Sequence, residues 1–164
     1  MSEMLKNDKA MALLPAFLEG AKEVFETMVF MPVTIGKAQP KTKGFPTGFI
    51  SGTISLNADD LSGNLSLLFS LPLATRIFRA MMGMDESAPV NQQEINDVVG
   101  ELANMTAGGA KSRLQEKEIH FKIGLPTVVV GEDHYLEPPK EVQTVVVPLT
   151  MTKTQEVFYI ELSV

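Results

Sequence analysis

The chain has 164 residues, a mass of 17.9 kDa and a formal net charge of −6 at pH 7, with a pI near 4.9. That is the size of a single domain, residues 1–164, able to bury about 70% of the surface exposed when unfolded. The acidic balance argues against generic nucleic-acid or anionic-membrane binding, which needs a basic footprint. The absence of cysteine excludes a disulfide framework, thiolate metal sites and a cysteine nucleophile. A hydrophobic fraction of 45% and a charged fraction of 21% are ordinary for a soluble globular protein. No apolar run approaches the length of a membrane span. The opening Met1–Lys9 mixes Glu3, Lys6, Asp8 and Lys9 and does not read as a secretory signal, so a cytoplasmic location is expected.

Between residues 10 and 29, Leu13, Leu14, Phe17, Leu18, Ala21, Val24, Phe25 and Met28 recur at helical spacing, with Glu19, Lys22, Glu23 and Glu26 opposite. Pro15 is expected in the first turn, where its missing N–H does least harm. Residues 32–46 turn to Gly, Pro and Lys, predicting a short strand at most and then a loop. The alternation over 47–57 predicts a strand. Asn57–Asp60 and Ser62-Gly63-Asn64 supply a turn, and 65–71 pairs back as a hairpin. Pro72 starts a helix carrying Leu73, Ile77, Phe78, Met81 and Met82, which Gly83 ends. Asn91, with Glu94 three residues on, caps a helix that runs to about Gln115, roughly 36 Å long. Valine-rich runs at 125–130, 142–151 and 157–162 read as strands, the last two a hairpin around Lys153–Gln155. The expected fold is α+β: one mostly antiparallel sheet with helices packed on it.

Several features promise chemistry and do not deliver it. Gly108-Gly109-Ala110-Lys111-Ser112 lacks the Gly-Lys-Ser/Thr adjacency of a phosphate loop and sits late in a helix. Of the two histidines, His134 follows Glu132 and Asp133, but no second histidine stands at ligand spacing. That stretch reads as a solvated turn, and no metal site is expected. No Gly-x-Ser-x-Gly elbow supports a serine hydrolase. The methionines, Met81, Met82 and Met84 among them, read as core fillers.

The long helix is different. At 100° per residue, Asp97, Glu101, Asn104 and Gly108 fall within roughly 60° of one another, flanked by Gln93, Glu94 and Lys111. Ile95, Val98, Val99, Leu102 and Gly109 occupy the other side. A polar face is what any surface helix has, but this one is locally costly. Asparagine is a poor mid-helix residue. Gly100, Gly108 and Gly109 each forfeit about 1 kcal/mol relative to alanine. Packing on the sheet accounts for Gly109. It does not account for Gly108, one turn beyond Asn104 on the exposed face, where a glycine leaves the surface bare for another molecule. Glu101 also repeats the charge of Asp97 one turn along.

Asp97-Val98-Val99-Gly100-Glu101-Leu102-Ala103-Asn104 resembles the Asp/Ser-x3-Glu-x2-Asn signature of the CheC/CheX/FliY chemotaxis phosphatases. Pro126 stands one residue short of the place where that signature continues with proline. The order of elements is similar over nearly the whole chain, including Thr47-Gly48-Phe49-Ile50-Ser51-Gly52 on the hairpin strand. CheC-type members carry the signature twice. Here the matching stretch of the first helix is Glu19-x3-Glu23-x2-Glu26, with a carboxylate in place of the asparagine, which favours the CheX type with one site per chain.

The resemblance implies a phosphatase that removes the phosphoryl group from the aspartyl-phosphate of a CheY-like receiver domain. In that reading Asn104 orients the attacking water, and Glu101 pairs with the receiver's active-site lysine. Asp97 orients Glu101 or touches the partner, and Gly108 lets the receiver come close. The magnesium belongs to the receiver, with no cofactor of the protein's own. It also implies a homodimer joined sheet edge to sheet edge, with valine-rich strands as weak independent support. The competing reading is a non-catalytic module that docks on a receiver or a flagellar switch component through the same face. It does not require the intact Glu101/Asn104 pair.

Overall fold

The computed structural model describes residues 2–164, with side chains described from Lys9 onward. The side chains of Met1–Asp8, which carry most of the reading of an unsignalled start, lie outside the described residues. In chain order the elements are α1 (Ser2–Val24) with a π turn (Phe25–Val29), β1 (Val33–Ile35), β2 (Gln39–Pro40), β3 (Gly48–Ala58), β4 (Leu61–Phe69), α2 (Leu71–Met82), α3 (Gln92–Gln115), β5 (Lys122–Ile123), β6 (Thr127–His134), β7 (Thr144–Met151) and β8 (Val157–Ser163). All pairings are antiparallel. The sheet runs β1-β7-β8-β4-β3-β5, with β2 also on β7 and β6 also on β3.

One face of this sheet takes the helices. Ile50, Ile54 and Leu56 of β3, Leu65 and Leu67 of β4, Val145, Val147 and Leu149 of β7, and Ile160 and Leu162 of β8 are buried there, as period-two alternation requires. Phe158 stacks between Phe25 and Phe69, with ring centroids 4.8 Å away on either side. The other face is mixed and also covered, with Leu68 and Val146 buried on it beside polar residues. Ser51, Ser66 and Glu161 are buried, and Glu161 is gripped by Lys41 at 2.9 Å. Lys41 comes from the segment after β2 and carries Tyr135 above its ammonium at 4.8 Å. Phe45 packs edge-on against Tyr159 from the same side.

The structure departs from the sequence expectations at definite places. Pro15 lies inside α1, because the helix begins at Ser2, well before the apolar pattern. Its ring faces solvent, and Met11, whose carbonyl loses an N–H partner, is also exposed, so water can serve that oxygen. Met28 is exposed and Val29 buried, since the π turn inserts an extra residue and rotates the inward position from one to the other. Ser62-Gly63-Asn64 is strand and not turn, for β4 already starts at Leu61. A Cβ on Gly63 would collide with the Ser163 carbonyl oxygen, so glycine here admits β8 rather than reversing the chain. Met82 is exposed and does not fill the core. His134 ends β6, with Nε2 3.0 Å from Ser51 Oγ and Nδ1 2.8 Å from the Gly131 carbonyl oxygen, so it is a bonded strand end and not a solvated turn.

Candidate functional site

The long helix α3 starts where Asn91 Oδ1 accepts the Glu94 N–H at 2.9 Å, which supplies one orphan donor with a partner. Its buried side is the row Ile95, Val98, Val99, Leu102, Ala103, Thr106, Ala107, Ala110 and Leu114. Two close approaches seat it. A Cβ on Gly52 of β3 would stand 2.9 Å from the Val99 carbonyl oxygen, so the helix backbone lies almost directly on the strand. A Cβ on Gly20 of α1 would stand 2.9 Å from the Thr106 carbonyl oxygen, and one on Gly109 would stand 3.2 Å from Gly20 Cα. Gly109 therefore serves the α1–α3 crossing, not packing on the sheet. Gly100 faces Val128 and Pro126, the proline singled out in the sequence, which lies along the flank of the helix beside the motif.

The opposite side carries the candidate residues. Asp97, Glu101 and Asn104 are exposed, and Gly108 is half-buried. Asp97 to Asn104 spans about 10 Å along the axis, and the Gly108 position lies about 6 Å further. Beyond its own helix backbone, nothing stands within 4 Å of where a Gly108 Cβ would be, so a side chain here would point into open space. It opens onto a shallow hollow of about 350 Å³ between α3 and α1, bordered by Thr27, Met105, Ser112 and Arg113. Arg113 bridges the hollow, donating to Glu23 Oε2 at 2.6 Å and to the Gly109 carbonyl oxygen at 3.1 Å. Glu19 and Glu23 of α1 and Glu26 of the π turn are all exposed. Glu23, the central acid of the degenerate second signature, is thus occupied by a structural ion pair.

One site feature escaped the sequence reading. Gln93 Nε2 donates to Asp97 Oδ1 at 2.8 Å, one helical turn back. It holds the Asp97 carboxylate on the N-terminal side, away from the charge of Glu101. The i, i+4 spacing that places the two carboxylates one turn apart equally places Gln93 beside Asp97. On this face there is one oriented acid, one free acid, one amide and one bare stretch of backbone. Such a surface is suited to presenting polar groups to a partner, and it encloses no small molecule.

The model of the family described as "Chemotaxis phosphatase CheX" matches residues 50–150, which include α3 and its whole motif. The chain belongs to the CheX family. A stretch of 73 residues is 37% identical to the CheY-P phosphatase CheX of Thermotoga maritima, covering 44% of this chain and 46% of that one. The matched stretch is thus under half the length of either protein. Among solved structures, CheX from Vibrio vulnificus superposes with a TM-score of 0.83 at 28% identity, covering 93% of this chain and 98% of its own. A CheC-like superfamily protein from Shewanella sp. PV-4 gives a TM-score of 0.82 at 30% identity, covering 92% and 96%. The α+β architecture of this chain is therefore the CheX architecture.

Proposed function

We propose that this CheX-family protein hydrolyses the aspartyl-phosphate of a CheY-like receiver domain in chemotaxis signalling. The observation that carries the proposal is the α3 face: Glu101 and Asn104 exposed together, with the unobstructed backbone of Gly108 one turn on. Water attacks phosphorus, the bond from phosphorus to the aspartyl oxygen breaks, and the products are inorganic phosphate and the free carboxylate. An acyl phosphate is already activated, so positioning and charge stabilisation supply most of the acceleration. Asn104 orients the water. A neutral amide accepts and donates hydrogen bonds beside the phosphoryl oxygens without the repulsion a carboxylate meets there. Glu101 pairs with the receiver's active-site lysine and fixes the register of the two proteins, while Asp97, held by Gln93, shapes the edge of the contact. The magnesium ion is the receiver's. On this reading the protein shares the cytoplasm with its receiver.

The deciding measurement times phosphate loss from a phosphorylated receiver with magnesium, comparing the protein with its Asn104→Ala variant. The variant should fold normally and lose about 10²-fold or more in rate, the scale for a positioned catalytic group. Full activity in folded Asn104→Ala would refute the assignment. We further propose that the protein is a homodimer joined through β6. Among the described residues this strand pairs only with β3, and on it Val129 and Val130 are 43% and 41% exposed, an apolar edge of the kind that is paired or shielded in solution. Light scattering tests this, and a monomer at all concentrations would refute it. A dimer that keeps the α3 face clear would take two receivers, one on each motif helix.

A further inference from the structure

The polar stripe of α3 does not stop at Gly108. Lys111 and Gln115 follow Asn104 by seven and eleven residues, which returns each to within about 20° of the Asn104 direction. They lie on the same line, about 10 and 16 Å along the axis. There the helix borders a depression of about 530 Å³, with Phe121 and Ala58 against it and Asn57, His120 and Lys122 around it. Asp59 is its one acidic neighbour. Among the described residues, three ion pairs form, at Lys41, Arg76 and Arg113, and neither Lys111 nor Lys122 takes part. A chain of net charge −6 thus keeps two uncommitted ammonium groups and a histidine together at one end of its candidate face.

The depression is broad and open, whereas a small-ligand pocket buries most of its ligand. Its occupant is then better sought on a protein surface. A standard interface covers about 800 Å² per partner, a patch of roughly 16 Å radius. A receiver centred on Asn104 therefore reaches Lys111, Gln115 and the depression in the same encounter. The acids Asp97 and Glu101 lie towards one end of the stripe and the free cations at the other. Asp97 and Lys111 are about 21 Å apart along the axis, well beyond the screening length of about 8 Å in physiological salt. The two ends act as independent, oppositely signed contacts.

We propose that the Lys111–Lys122 depression is a second docking subsite for the same receiver, taking an acidic patch on the receiver surface away from its phosphorylated aspartate. This rests on the phosphatase reading and adds to it a direction of docking. A receiver laid along α3 in the reverse sense would bring its acidic patch to Asp97 and Glu101 and its lysine to Lys111 and Lys122. Like charges would then meet at both ends, and that orientation is rejected.

The test is the Lys111→Glu/Lys122→Glu variant, with Lys111→Gln/Lys122→Gln as the neutral intermediate. Lys122 is exposed and Lys111 half-buried, so circular dichroism with thermal unfolding verifies the fold. Affinity is measured by titration with a CheY-like receiver loaded with beryllofluoride and magnesium, and KM and kcat with the phosphorylated receiver. The expected result is a graded loss, about tenfold or more in affinity for the glutamate variant and less for the glutamine variant. The salt dependence should be shallower, with kcat at saturation unchanged within about twofold. Unchanged affinity and salt dependence in the glutamate variant would overturn the subsite. So would saturable binding of inorganic phosphate alone at the depression, which would make it a small-anion site. A protein that binds the loaded receiver but hydrolyses none would refute the phosphatase reading, while the titration still decides the subsite.

Discussion

Replacing Gly108 by alanine should make the protein more stable and a poorer phosphatase. A glycine in a helix interior costs about 0.8–1 kcal/mol relative to alanine. Whether that gain is realised depends on what the new methyl meets, and at Gly108 nothing lies within 4 Å. The full gain should therefore appear as a rise of about 2–4 °C in Tm for a chain of this size. The same change at Gly20 should have the opposite sign, because its Cβ would press on the Thr106 carbonyl oxygen at 2.9 Å and the Ala110 nitrogen at 3.2 Å, both backbone atoms. For activity, the methyl stands about one helical turn from Asn104, in the space assigned to the receiver. Displacing a reacting pair by 1 Å costs up to about 10²-fold, so Gly108→Ala should lose about tenfold or more, and Gly108→Trp nearly everything. Thermal unfolding and a receiver dephosphorylation time course measure the two effects on the same sample. A less stable Gly108→Ala protein would refute the helix argument. A folded Gly108→Trp protein with full turnover would show that no partner covers this face.

Glu101→Lys should weaken receiver binding by placing like charges together at the receiver's lysine. A titration with unchanged affinity, together with an unchanged rate, would reduce Glu101 to a surface residue. Lys41→Met should cost about 3–5 kcal/mol in urea unfolding, because it strands a buried carboxylate, and adding Glu161→Leu should recover most of that loss. Burial already raises the Glu161 pKa above its ordinary 4.5 against the pull of Lys41, so its folded-state advantage is present at acid pH and lost as pH rises through the raised value. The Lys41→Met defect should accordingly shrink towards acid pH, and a defect independent of pH would refute this. Thr106→Val should stabilise by about 1 kcal/mol, since the Thr106 hydroxyl is buried without a hydrogen-bond partner and valine keeps its shape. A lower unfolding midpoint would show that the hydroxyl has a use.

What could be read from the sequence was what local periodicity encodes. The cap at Asn91 and the end at Gln115 come from neighbouring residues, and so does the alignment of Asp97, Glu101, Asn104 and Gly108. Ser70, which accepts the Leu73 N–H, and Gly83, with φ at 64°, bracket α2 for equally local reasons. Contacts between distant segments left no such mark. Gly63 resembles a turn glycine until β8 is laid against it, and Gly109 needed Gly20 of α1 to show its purpose. Lys41 and Glu161 stand 120 residues apart, and neither one alone announces a buried pair. Pro15 misled because the helix extends before its apolar pattern begins. At the site, the stripe was legible because it belongs to one helix. Its basic end was not, since His120 and Lys122 reach Lys111 only through the turn of chain after α3.

Near contact of the α1 and α3 backbones at Gly20 and Gly109 bears on the thermodynamics of encounter. Side chains that interdigitate can slip by a rotamer, but two backbones with no side chain between them have little slack. The docking surface is then stiff before any partner arrives, backed by α1 on one flank and by β3 at Gly52 beneath. Association should order little of this protein beyond the exposed side chains of the stripe. Its heat-capacity change should match the apolar area covered, without the larger excess that coupled folding adds.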